Sequence, residues 1–249
     1  MCCFSGPVIS VTETRIFART LPQRRQGLIY GMSLDTPEDV AMILPIPVAA
    51  GSGEDSVKFL SFEKYPGVFA DLASLFPQPI AYSSGTGGSL GSDRNDRPIR
   101  VVQVGAFDAS FVPTNKDFSR VDERFRIPDE AWEKLGQYSK FGFAVFKLRK
   151  GRAVIHPMAF TFPSAMPERL FFPTVHIHDG KVHPQADFDH VLYAQTLIGY
   201  PPPVHRWAES QRLAAPTIKI GLAHGLFAAD QHVFGLTLKG KMRNVDVIA

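Results

Sequence analysis

Residues 141–148, FGFAVFKL, and residues 153–162, AVIHPMAFTF, are the two most strongly strand-forming stretches of this 249-residue chain. Both are rich in Phe, Val and Ile, whose side chains suit the pleated, half-buried surface of a sheet. We predict that they form the central strands of the fold. Shorter apolar stretches bounded by proline, glycine or acidic turns predict further strands at 27–34, 40–47, 171–177, 217–222 and 232–238, and two more within 99–112 on either side of a break at Gly105.

The composition predicts the same class of fold. The chain contains 20 phenylalanines and 20 prolines, which together indicate short apolar strands separated by proline-containing turns. We therefore predict a mainly β (α+β) protein, built as an antiparallel two-sheet sandwich or one curved sheet, with a few short peripheral helices. Helical spacing of apolar residues places these helices at 66–75, 129–135 and 188–198. We expect a single β-rich domain over residues 1–249, with a flexible Gly/Ser-rich loop at 83–98.

Charge and hydropathy exclude several classes of function. The net charge is only +3, from 27 basic and 24 acidic residues, and no basic run with interleaved aromatics occurs, so we expect no nucleic-acid partner. No stretch of about 18 apolar residues is present, so we expect no membrane span. The opening MCCFSGPVIS has no secretory pattern, and we predict a cytoplasmic protein. The only cysteines are the neighbours Cys2 and Cys3, so the fold must depend on packing rather than on disulfides.

The stretch 171–190, FFPTVHIHDGKVHPQADFDH, holds four of the eight histidines. If 171–177 is a strand that runs into an Asp-Gly turn, His176 and His178 point to the same face, because side chains alternate along a strand. Two imidazoles placed in this way can bind one transition-metal ion, which needs at least one further ligand. The candidates for that ligand are His183, His190, Asp179, Asp187 and Asp189 across the turn, and His156 if its strand pairs beside this one. The pattern predicts a zinc, copper or iron site, and an open coordination position would make a metal-assisted hydrolase.

The N-terminus offers a second chemistry. Removal of Met1 would leave Cys2 with its own α-amino group, which is the arrangement of an N-terminal nucleophile. We predict a hairpin with a turn at 12–14, which would bring Arg19 close to Cys2. The positive charge of Arg19 would then lower the pKa of the Cys2 thiol. The first twenty residues resemble the opening of N-terminal-cysteine amide hydrolases of the bile-salt-hydrolase type. That resemblance implies Cys2 as the nucleophile and Arg19 as the residue that stabilises charge, although Thr20-Leu21-Pro22 stands where the family has Asn-x-Asp.

Two further segments resemble an uncharacterised family of bacterial β-rich domains of unknown function. One segment combines Ile29-Tyr30, an acidic turn and the Leu-Pro-Ile-Pro sequence of 44–47. The other is HPMAFTFP at 156–163, followed by Phe-Phe-Pro at 171–173. This resemblance implies a β fold and no particular activity. Three interpretations therefore remain open: a metal-binding protein, an amide hydrolase, and a non-catalytic binding module.

Overall fold

The computed structural model describes residues 2–77, 101–104, 107–126, 135–177, 181–201, 203 and 206–249, with the backbone alone at 2, 101, 102, 104 and 107. Three predictions fall on other parts of the chain. The flexible loop at 83–98 and most of the helix at 129–135 lie outside the described residues. The same is true of His178 and Asp179.

Strands dominate the described part of the chain. They are β1 (Cys2–Phe4), β2 (Ser10–Leu21), β3 (Arg25–Thr36), β4 (Val40–Ile46), β5 (Lys58–Ser61), β6 (Val101–Val104), β7 (Phe107–Val112), β8 (Gly142–Leu148), β9 (Gly151–Pro163), β10 (Phe171–Phe172), β11 (His176–Ile177), β12 (Gln185–Gln195), β13 (Ala208–Glu209), β14 (Phe234–Arg243) and β15 (Val247–Ile248). One α-helix, α1 (Val68–Ser74), confirms the helix predicted at 66–75. Short 3-10 turns cover Glu54–Ser56, Asn115–Arg120, Glu123–Phe125, Gly136–Tyr138 and Ile220–Leu222.

Most of the strands belong to two sheets, which confirms the predicted mainly β architecture. The first sheet has the order β11-β1-β4-β8-β7-β6, and the second has the order β13-β14-β12-β2-β3-β9-β5. Strands β10 and β15 form a separate two-stranded pair. Neighbouring strands are antiparallel except for β1 with β11 and β2 with β12, which are parallel. The two predicted central strands, β8 and β9, are interior strands of different sheets.

The main core lies between the two sheets. Met42 and Phe146 of the first sheet and Leu28, Phe160 and Leu192 of the second belong to one buried cluster. The outer face of each sheet is also covered, because alternate residues of the same strands enter two further clusters. Strands buried on both faces read as continuous apolar runs rather than as alternating ones.

That two-sided burial explains a wrong helix prediction. Residues 188–198 were expected to be helical with His190 in the first turn, but Gln185–Gln195 is strand β12. Phe188, His190 and Leu192 lie on one face of β12 and are buried. Val191 and Tyr193 lie on the opposite face, and their apolar side chains pack in a second cluster. Apolar residues on both faces of a strand imitate the i, i+3, i+4 spacing of a helix.

Three strand predictions were also wrong. The strand expected at 171–177 is divided into β10 and β11, which pair with β15 and β1 respectively. The hairpin expected between Cys3 and Arg19 is absent, because Ser10–Leu21 is one strand with a register shift between Thr12 and Arg15. At the shift Glu13 has a φ of 55°. The expected turn is therefore a β-bulge, which bends a strand without reversing it. The strand expected at 217–222 contains instead the 3-10 turn Ile220–Leu222.

No helix in the described part of the chain is long and apolar enough to cross a membrane.

Candidate functional site

His176 and His190 meet between the two sheets. His176 lies on β11, at the edge of the first sheet, and His190 lies on β12, inside the second. Their Nε2 atoms are 3.0 Å apart, and their ring planes are inclined by 27°. A hydrogen bond between two imidazole nitrogens requires one to donate and the other to accept, so at least one ring is neutral. We call these two residues the histidine pair.

Aromatic and acidic side chains surround the histidine pair. The ring of Phe188 stacks on that of His176, with centroids 4.6 Å apart. On the other side, Nδ1 of His190 lies 3.6 Å from Oδ1 of Asp189. The backbone N–H of Glu13, in the bulge of β2, donates to Oδ2 of Asp189 at 2.6 Å. A line of polar groups thus runs from Glu13 through Asp189 and His190 to His176.

Asn244 fixes the strand that carries His176. Its Oδ1 accepts from the backbone N–H of His176 at 2.7 Å, and its Nδ2 donates to the carbonyls of His176 and His183 at 2.9 and 3.0 Å. The side chain therefore replaces the backbone partner that β11 lacks on this side. No sequence pattern singled out Asn244, because its role depends on a contact between residues 68 positions apart.

Burial controls the charge of the site. Only 1% of His190 is exposed, and this desolvation lowers the pKa of its imidazole, against the opposing effect of Asp189. Burial would raise the pKa of Asp189, but its contacts with His190 and with the amide of Glu13 lower it below the ordinary value. We infer that His190 is neutral and Asp189 ionised near pH 7.

Among the other predicted metal ligands, Asp189 contacts His190, and His178 and Asp179 lie outside the described residues. His183 is exposed, and His156 lies on β9, three strands from β12 in the second sheet. Nδ1 of His156 lies 3.2 Å from the carbonyl of Pro157, and burial lowers the pKa of the His156 imidazole. Among the described residues, no group of three or more His, Cys, Asp and Glu side chains could hold a metal ion. The zinc, copper or iron site stays a prediction, since it also involved His178 and Asp179.

The residues of the predicted amide-hydrolase site belong to different sheets. The backbone of Cys2 pairs with that of His176 in the first sheet. Arg19 pairs with Gln195 in the second sheet, five residues along β12 from His190, or about 17 Å at the usual rise of a strand. Burial lowers the pKa of Arg19, and Asp230 opposes that shift. The predicted proximity of Cys2 and Arg19 depended on the absent hairpin, and the nucleophilic role of Cys2 stays a prediction.

Two grooves flank the turn at 197–200, which follows β12. The first, which we call the basic groove, encloses about 840 Å³ and is lined by Arg24, Ala165, Met166, Pro167, Glu168, Arg169, Gly199, Tyr200 and Pro201. The second, which we call the acidic groove, encloses about 230 Å³ and is lined by Thr196, Leu197, Ile198, Tyr200, Glu209, Asp230, Gln231, His232 and Phe234. Neither groove is evident from the sequence, because each combines segments that are distant in the chain.

Comparison with known proteins found similarity among solved structures only. No family model and no curated protein matches the chain. The crystal structure of baculovirus P35 is 12% identical, with a TM-score of 0.49, over 99% of this chain and 98% of that one. P35 in the caspase-8/P35 complex is 13% identical, with a TM-score of 0.49, over 95% of each chain. A mutated baculovirus P35 after caspase cleavage is 12% identical, with the same score, over 95% of this chain and 98% of that one.

Proposed function

We propose that this chain is a non-catalytic binding module that holds an extended, carboxylate-bearing segment of a protein partner in the basic groove. One observation carries the proposal. Two exposed arginines, Arg24 and Arg169, line the same groove, and neither forms an ion pair with another described residue. Exposed guanidinium groups that converge on one groove are suited to bind carboxylates.

The charge of the groove favours an acidic ligand. Its lining contains the two guanidinium groups and a single carboxylate, that of Glu168, which leaves an excess of one positive charge. The planar guanidinium group donates two parallel hydrogen bonds to a carboxylate, which gives direction as well as attraction. A segment with an Asp or Glu side chain complements this surface.

The walls of the groove favour a polypeptide segment over a small anion. Met166, Pro167 and Tyr200 are half-buried, so their apolar surfaces are partly available to a ligand. A volume of about 840 Å³ is within the range of sites that enclose several residues or a drug-sized molecule. A free carboxylate or phosphate would leave most of this surface uncovered.

Backbone hydrogen bonds hold the walls in position. The N–H of Ser164 donates to the carbonyl of Arg24 at 2.9 Å, and that of Arg169 donates to Met166 at 3.1 Å. The N–H of Tyr200 donates to the carbonyl of Leu197 at 3.0 Å. Three separate segments therefore meet in defined turns, and a preformed groove costs little ordering free energy when a ligand binds.

The test uses fluorescein-labelled octapeptides that carry two Asp or Glu residues at varied spacing, and matched peptides with Asn or Gln. Fluorescence polarisation should show at least one acidic peptide binding about tenfold more tightly than its amide counterpart, as expected for hydrogen bonds between charged groups. Arg24→Glu with Arg169→Glu should abolish that preference. The matched control, Arg152→Glu with Arg243→Glu, reverses two exposed arginines elsewhere and should retain it. Failure of every acidic peptide to bind, or equal binding by both double variants, would overturn the proposal.

A second candidate, transition-metal binding, is favoured by the histidine pair. Two imidazole Nε2 atoms 3.0 Å apart could become ligands of one ion after a small movement. Protein purified without chelator should then contain about one equivalent of zinc, copper or iron by plasma mass spectrometry. The metal should be absent after His176→Ala or His190→Ala. Metal-free wild-type protein after incubation with zinc and copper salts would exclude this candidate.

A further inference from the structure

The basic and acidic grooves are two halves of one surface. Tyr200 lines both of them, and the turn at 197–200 separates them. A segment that leaves the basic groove over Tyr200 therefore enters the acidic groove directly. The residues of the acidic groove therefore contact the same partner segment that the basic groove binds.

The acidic groove presents one carboxylate that is readily available. Glu209 is 57% exposed, and Nδ1 of His232 lies 3.8 Å from its Oε1. That Nδ1 is 2.9 Å from the carbonyl of Ser210, to which it donates, so its N–H is already bound to a backbone acceptor rather than to Glu209. The second carboxylate, Asp230, interacts electrostatically with the half-buried Arg19, which balances part of its charge. Glu209 is thus the group best placed to receive a cation from a ligand.

An apolar ridge lies between the two charged grooves. Ile198 is 78% exposed, the largest exposure among the large apolar side chains that the structure describes. The turn that presents it is held by the bond from Tyr200 to Leu197 and by a 2.6 Å bond from the N–H of Leu197 to Oγ1 of Thr20. Gly199 adopts a φ of 93°, a conformation that side chains disfavour. A turn held by these two hydrogen bonds presents the isoleucine in a defined position, which reduces the ordering cost of an apolar contact.

We infer that the partner segment is bipolar: it places a carboxylate in the basic groove, an apolar side chain against Ile198 and Tyr200, and a lysine or arginine beside Glu209. The inference rests on the proposed function, because it names the ligand of the same surface. Opposite charges at the two ends also fix the orientation of the segment, since reversal would bring like charges together.

The experiment compares three labelled peptides by fluorescence polarisation. The first carries a pair of acidic residues, a central Leu and a Lys; the second replaces Lys by Gln; the third replaces Leu by Ser. On the wild-type protein the bipolar peptide should bind about 1.5- to fivefold more tightly than the Gln peptide, which is the usual contribution of one exposed ion pair. The Ser peptide should bind more weakly than the bipolar one, and Ile198→Ser should remove that difference.

Charge reversal on the protein separates the inference from the proposed function. Glu209→Lys should remove the advantage of the bipolar peptide and should not weaken binding of the Gln peptide, which carries only acidic charges. The control variant Glu123→Lys, which reverses an exposed glutamate in a distant 3-10 turn, should retain the advantage. Equal affinities of the bipolar and Gln peptides for wild-type protein would overturn the inference and leave the acidic-ligand proposal standing. Failure of all three peptides to bind would overturn both.

Discussion

The imidazoles of His176 and His190 meet with their Nε2 atoms 3.0 Å apart, and their hydrogen bond joins the edge strand of one sheet to an interior strand of the other. The two residues are 14 positions apart in the chain. Because the bond requires a neutral acceptor, the contact between the sheets at this point depends on pH. The contact also depends on the residues that position the two imidazoles, and substitutions of those residues can test this.

The first prediction concerns the pH dependence of stability. Burial lowers the pKa of His190 in the folded protein, whereas an unfolded histidine titrates near pH 6.5. The unfolded state therefore binds the proton more readily, and the free energy of unfolding should decrease as the pH falls below about 6.5, by at most about 1.4 kcal/mol per pH unit for this group. His156 contributes with the same sign, because burial lowers its pKa too.

Urea unfolding at several pH values between 5 and 7.5 measures this dependence. His190→Gln should reduce the slope, and the control His183→Gln, at an exposed position, should leave it unchanged. Asp189 does not contribute to this slope above pH 5, because its pKa is lowered below the ordinary value of an aspartate. A slope identical in wild-type protein and His190→Gln would contradict the prediction.

The second prediction concerns a buried hydroxyl on β2. Thr14 is 1% exposed, and its Oγ1 has no hydrogen-bond partner among the described residues. Because a buried polar atom without a partner costs about 1–3 kcal/mol, Thr14→Val should raise the free energy of unfolding by about 1 kcal/mol. Thr12→Val, at an exposed position of the same strand, is the control and should change stability by less than about 0.5 kcal/mol. A lower free energy of unfolding for Thr14→Val would contradict the prediction, because it would show that the Thr14 hydroxyl forms a hydrogen bond.

The third prediction concerns the side chain that fixes β11. Asn244→Ala removes three hydrogen bonds to the backbone of His176 and His183, and we expect a loss of about 2–3 kcal/mol in urea unfolding. Hydrogen exchange should increase at β11 and at the adjacent β1. Asn115→Ala, at an exposed site in a 3-10 turn, should have little effect on either measurement. Unchanged exchange at β11 in Asn244→Ala would contradict the role assigned to this side chain.

The fourth prediction concerns the packing of β8 against β7. A Cβ on Gly142 would lie 2.4 Å from one ring carbon of Phe111 and 3.1 Å from a methyl group of Val48. Phe111 is 2% exposed, so its ring has little space into which to move. Gly142→Ala should therefore lower the free energy of unfolding by about 1–3 kcal/mol, as overpacking usually does. In the control Gly53→Ala, the added Cβ meets no atom within 4 Å, so the free energy of unfolding should change little. Equal stability of the two variants would contradict the described packing.

The sequence by itself determined that this is a mainly β protein, and it located β3, β4, β8, β9, β14 and α1. These features depend on side-chain shape and on spacing within a few residues, which can be read locally. The same local information misassigned β12, because a strand buried on both faces has apolar residues at helical intervals. It also placed a turn at 12–14, where β2 continues through a bulge.

Only the tertiary structure decided which residues meet. It separated β8 from β9 into two sheets, and it brought His190 into hydrogen-bond contact with His176. It also assembled the basic groove from Arg24, the segment after β9 and the turn after β12. The physical reason is that strand pairing and sheet packing join residues far apart in the chain, and local propensity carries no information about which distant strand a given strand will contact.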